Sequence, residues 1–209
     1  MRQLTVSQDK HKITTRSLTM IAMLGALSAI LMVLDFHVPF SPTFVKFDFS
    51  DLPIMIGGFL LGPLAGVLIG IIKILLNFLL NGTTTMFVGE LANLVLTIAY
   101  VLPASWLYQK NKTKEQAVKG LMISVLVTSI LAVLSNIYFI FPVYATLFGM
   151  SIQDIVQMAV VTNPLVKDLT TMIVFSLLPF NIFKYTVISI LTMISYKKLS
   201  YLFKREISK

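Results

Sequence analysis

The sequence predicts an all-α, polytopic membrane protein: one bundle of six transmembrane helices with both termini in the cytoplasm. Three observations carry that expectation. Of 209 residues, 56% are hydrophobic and only 12% charged, with a mean hydropathy of +0.87, whereas soluble domains carry about a quarter charged residues. The apolar residues form long runs, the first being the 18 uncharged positions Ser17–Leu34. Thirteen of the 17 Lys and Arg gather in three polar segments, 1–16, 110–119 and 197–209, which the positive-inside rule places together in the cytoplasm. A net charge of +8 so distributed suits an anionic lipid face rather than nucleic acid. The organisation expected is a cytoplasmic segment 1–16, a membrane domain 17–200 and a basic tail 201–209. With no Cys, neither a disulfide framework nor a thiolate metal site exists.

Taken in order, Ser17–Leu34 reads as a retained first helix, since the apolar run continues past its small residues without a clean cleavage site. Ala22, Gly25, Ala26 and Ala29 form a small-residue stripe that lets another backbone approach. Residues 35–51 are an aromatic loop with Phe36, Phe40, Phe44, Phe47 and Phe49. It reads either as an interfacial belt or as a lid over a flat aromatic ligand. Residues 52–80 hold a single charge, Lys73, and are too long for one span. Breaking them at Gly62-Pro63 keeps every basic segment on one side, giving a short helix at about 51–61 and a long one at about 63–80. A fourth helix is expected at about 86–108 and a cytoplasmic loop at 110–119. A fifth runs from about 121 to 141, where Pro142 ends it. The outer connection 143–176 has helical spacing over 151–161, and Asn163-Pro164 reads as a helix start. A sixth helix at about 178–198 places Pro179 in its first turn, where the missing N–H breaks nothing.

Polar residues inside these spans are expensive and mark function or pairing. Lys73, Asn77, Glu90, Asn93, Asn136, Asn181 and Lys184 all fall there, most in the outer half. Asn181 and Lys184 lie three apart, on one helix face. Glu90 is expected to neutralise Lys73 or Lys184. Amides, a lysine and an aromatic lid suit a neutral heteroaromatic ligand better than a phosphorylated one. No G-x-x-x-x-G-K-[ST] is present, so the chain has no P-loop. His11 and His37 make no zinc pattern, and no nucleophile, base and orienting group form a set.

Several stretches together carry a specific resemblance: Phe47-Asp48-Phe49-Ser50-Asp51-Leu52-Pro53, Gly62-Pro63-Leu64-Ala65-Gly66, Lys73, Gly89-Glu90-Leu91-Ala92-Asn93, Asn136 before Pro142-x-Tyr144, and Leu178-Pro179-Phe180-Asn181-x-x-Lys184. In that order, over residues 20–200, the chain resembles the riboflavin-specific substrate-binding (S) components of energy-coupling factor (ECF) transporters. The resemblance implies a non-enzymatic, multi-pass protein of the bacterial cell membrane. Such a protein captures riboflavin from outside, with riboflavin as cargo and no cofactor. It also implies assembly with a transmembrane T component and two cytoplasmic ATPases, and Ala22-x-x-x-Ala26 is similar to the family's docking motif for the T component. Asn181 and Lys184 would meet the ring edge, two carbonyls flanking one N–H. Asn136 would meet the same edge or the ribityl hydroxyls, with Asn93, Phe36, Phe40 and Phe44 completing the pocket. Glu90 departs from the Gln frequent in the family. A different vitamin on the same scaffold, thiamine or biotin, and an intramembrane lipid enzyme are the alternative readings.

Overall fold

The computed structural model describes residues 14–83 and 85–207, with side chains through Tyr196. The expected basic ends therefore lie largely outside the described residues. All the elements are helical: α1 (Thr15–Val33), α2 (Asp51–Leu61), α3 (Pro63–Asn81), α4 (Val88–Lys110), α5 (Lys114–Ser135), α6 (Phe141–Phe148), α7 (Ile152–Val160), α8 (Leu169–Met172) and α9 (Leu178–Ile207). π-Helical turns at Asn136–Ile140 and Ile173–Leu177 join α5 to α6 and α8 to α9.

Among the described residues five helical stretches are long and apolar enough to cross a membrane: Thr15–Val33, Pro63–Asn81, Val88–Lys110, Lys114–Phe148 and Leu169–Tyr196. The sixth expected helix, α2, has 11 residues, about 17 Å at 1.5 Å per residue. It sits in the middle of the bundle, against α1, α3, α4 and α9, and buries Ile54, Met55, Ile56 and Phe59. A span-length helix is unnecessary where protein, not lipid, surrounds it. Two glycines make this packing feasible. Gly62 turns the chain at φ +105°, where a side chain is strained. At Gly58 a Cβ would collide with Ser105 of α4. The end of the core nearest the α4–α5 turn is aromatic, with Phe59 stacked on Tyr108 at 4.7 Å and the Tyr108 and Tyr196 hydroxyls 2.6 Å apart.

The structure moves four expected boundaries. The polar segment 110–119 is mostly helical: Thr113 caps α5 by accepting from Gln116 N, and Glu115 pairs with Lys119 one turn on. Pro142 does not end the fifth helix, because the preceding π turn accommodates it and the helix continues as α6. Pro179 likewise stands inside a helix, not in its first turn, since that helix starts at Leu169 behind the Asp168 cap. Asn163-Pro164 starts no helix; Asn163 accepts from Leu165 N in a tight turn. Its Nδ2 donates to Phe175 O at 2.8 Å. Phe175 is four residues before Pro179, so its carbonyl has lost its helical donor, and Asn163 replaces it.

The side of the bundle opposite the α4–α5 turn is a hood. α6, α7 and α8 pack over Phe141, Ile155, Val156, Val166 and Met172. Beside them, Val38 and Phe47 of the 35–50 loop pack on Phe180 of α9. A two-way backbone bridge between Phe36 and Phe47 closes the loop at its base.

Candidate functional site

Under the hood lies a mixed polar and apolar cavity of about 160 Å³. A larger groove, about 500 Å³ between α5 and α9, is lined almost wholly by apolar side chains such as Met122, Leu126 and Ile190. Those three are outward-facing and belong to a lipid-contacting surface. The polar side chains gather in the smaller cavity.

Three of its walls contribute one amide each. α4 supplies Asn93, the first π turn Asn136 and α9 Asn181. Asn136 Nδ2 donates to Ala132 O at 2.7 Å, and Asn181 Nδ2 donates to Leu177 O at 2.8 Å. Each bond runs one turn back along the chain and leaves the amide oxygen free as an acceptor. Lys184 and Tyr185 complete the α9 wall, Tyr144 the α6 wall, and Phe44, Val45 and Lys46 the loop wall. The sequence-predicted Asn93, Asn136, Asn181, Lys184 and Phe44 are thus together. Phe36 and Phe40 are not in the cavity wall. Phe36 packs on Phe47 at 5.1 Å, and Phe40 meets Phe183 edge-on at 5.9 Å. The loop spends most of its rings on its own small core.

The charges pair differently from the sequence expectation. Glu90 neutralises neither lysine; it accepts from Thr85 Oγ1 at 2.8 Å in the outer turn. The first turn of α4 carries it away from the core. Instead Lys184 Nζ lies 2.8 Å from Asp48 and 3.9 Å from Asp51, and Lys73 Nζ lies 3.1 Å from Asp51. All four are buried. Two cations and two anions cancel, which is what makes charges bearable without water. Burial alone would raise the Asp48 carboxyl, but Lys184 and then Lys73 bring it below its ordinary value. Lys73 also donates to Ser50, Asn93 and Thr97. Asp48, Asp51 and Thr97 escaped the sequence reading. The available signal was Asp48 and Asp51 three apart at the mouth of an apolar helix, facing two otherwise unmatched lysines.

On α1, Ala22 is exposed and Ala26 half-buried, whereas Gly25 and Ala29 face inward. A Cβ at Gly25 would meet Ile72 of α3. The small-residue stripe is therefore split between two faces, with Ala22 and Ala26 left outward.

Comparison with known proteins places this geometry in context. Residues 16–196 match the family described as ECF transporter, substrate-specific component. A protein named riboflavin transporter RibU, from Staphylococcus aureus (strain TCH60), is 30% identical over 204 residues, covering 98% of this chain and 97% of its own. One named riboflavin transporter FmnP, from Bacillus subtilis (strain 168), is 32% identical over 188 residues, covering 88% and 92%. A solved structure described as the S component of a bacterial ECF transporter superposes with a TM-score of 0.70. It is 29% identical and covers 90% of this chain and 98% of its own.

Proposed function

The chain belongs to the substrate-specific components of ECF transporters, and from that membership we propose that it captures riboflavin at the outer side of a bacterial membrane and passes it inward with energy from partner subunits. The observation that carries this reading is the convergence of Asn93, Asn136, Asn181 and Lys184 on one cavity. Two amide oxygens accept, and an ammonium and an amide donate, which complements a ring edge of two carbonyls around one N–H. Relatives named riboflavin transporters support this vitamin over thiamine or biotin. Transport, not lipid catalysis, follows from the same names.

The supporting topology counts α2 as a sixth, internal helix, with both termini cytoplasmic. Lys110, Lys112, Lys114 and Lys119 around the α4–α5 turn favour that orientation. The chain carries no P-loop, so the reading requires a T component and two ATPases, with the outward Ala22-Ala26 face of α1 as the docking surface. At about 160 Å³ the cavity is below the roughly 300 Å³ at which drug-sized ligand pockets begin. Riboflavin entry therefore displaces Phe44 and Val45 of the loop outward.

The test is direct. The full chain, purified in detergent, should quench riboflavin fluorescence with one-to-one stoichiometry, and thiamine and biotin should fail to compete. Displacement of riboflavin by thiamine or biotin at equal concentration would move the assignment to another vitamin, and no quenching would end it.

A further inference from the structure

We propose that Lys73, which lines no part of the cavity, is a specificity-setting positioning residue: it fixes the Asn93 amide so that Nδ2, and not Oδ1, faces the ligand. The proposal rests on the riboflavin reading for its ligand but not for its geometry. Lys73 is fully buried, and its three protons face four oxygens: Asn93 Oδ1 at 2.7 Å, Thr97 Oγ1 at 2.9 Å, Asp51 Oδ1 at 3.1 Å and Ser50 Oγ at 3.2 Å. The shortest goes to Asn93. Asp51 is also engaged by the Thr97 hydroxyl, which donates to it at 2.7 Å, so Thr97 is held as an acceptor towards Lys73.

An amide whose oxygen is turned to an ammonium on one side aims its N–H pair to the other. Asn93 Nδ2 has no partner among the described residues, and Asn93 lines the cavity. Asn136 and Asn181 are held the other way round, one N–H of each Nδ2 tied to the backbone and their oxygens free. The cavity thus offers a fixed pattern: Asn93 and Lys184 donate, Asn136 and Asn181 accept. Without Lys73, Asn93 could rotate by half a turn and offer an acceptor, and the pattern would lose its discrimination between carbonyl and N–H.

Two measurements test this in the full chain. In ligand-free protein labelled with 15N-asparagine, the Asn93 side-chain amide pair is identified by its loss in Asn93→Asp. It should shift and broaden in Lys73→Met. Because that variant leaves Asp51 without its nearer cation, Lys73→Met combined with Asp51→Asn serves where the single variant fails to fold, and should do the same. An unchanged Asn93 pair in a folded variant overturns the proposal whatever the ligand. Second, Asn93→Ala and the Lys73→Met/Asp51→Asn variant should each weaken riboflavin roughly 5- to 150-fold, the range of one lost buried hydrogen bond, and combining them should cost no more than either alone. Fully additive losses would mean Lys73 acts on the fold and not through Asn93. Absence of riboflavin binding in the wild type would strike the riboflavin reading, while the amide spectrum would still decide the role of Lys73.

Discussion

Lys184 carries three N–H groups, and among the described residues only one is hydrogen-bonded, to Asp48. The remaining two can serve a ligand in the cavity it lines. Substituting Lys184 therefore has two separable effects. Lys184→Met strands a buried Asp48 carboxylate, and removing one partner of a buried pair costs about 3–5 kcal/mol. Lys184→Met with Asp48→Asn removes both charges and should recover most of that stability. Riboflavin affinity should stay about 5- to 150-fold down in both, read by thermal melting and fluorescence titration on the same samples. Recovery of affinity in the double variant would make Lys184 a structural cation only. A pH dependence follows from the same pair. The Asp48 carboxyl lies lower in the fold than in the unfolded chain, so its stabilisation is complete above the ordinary carboxylate value, about 3.9. It is lost as pH falls through the lower folded value. Melting temperature should be flat from about pH 8 to 5 with respect to this group and decline only under stronger acid. A decline beginning near pH 6 would contradict that assignment.

At the level of elements, the hood is tied to the wall by a vacancy. Pro179 deprives Phe175 O of its donor, and Asn163 fills the place. Asn163→Leu should then cost about 1 kcal/mol, the low end for leaving a part-buried carbonyl without a donor, measured as a lower melting temperature. An unaltered melt would show that Phe175 O finds another donor. On α1, Ala22→Trp should abolish co-purification of a T component while leaving riboflavin titration unchanged, because Ala22 points away from the core. Loss of riboflavin binding with assembly intact would reverse the assignment. These elements also mark how far the sequence could be read. α1, α2 and α3 were legible nearly to the residue, because Gly62-Pro63 punctuates an otherwise apolar run and charge placement forbids a single crossing. The π turns were not legible, since one residue of excess leaves no periodic signature in a segment that is apolar all round. Asn136, Asn181 and Lys184 stood out as polar residues in hydrocarbon. The pairing with Asp48 and Asp51 did not, because it depends on where a 15-residue loop, 36–50, lays its last turn.

As a whole, the molecule has a polar cavity under its hood, a girdle of exposed apolar side chains and no P-loop in its sequence. Reconstituted alone in liposomes, it should bind riboflavin without concentrating it, even with ATP on both sides. Accumulation should appear only when a T component and ATPases are added, and accumulation by this chain alone would refute the division of labour. The two π turns give that architecture a property of its own. Both sit where the long helices leave the hood and enter the bundle, and each contains one residue more than a regular turn needs. Successive residues in an α-helix are about 100° apart in azimuth, so one residue of excess resets the azimuth of everything beyond it. The hood above and the wall below are thereby set at a fixed offset, as two dials locked on a common shaft. Asn136 and Asn181 are held at the setting of the lower dial, while Tyr144 of α6, beyond the first π turn, takes the setting of the upper one and reaches the same cavity.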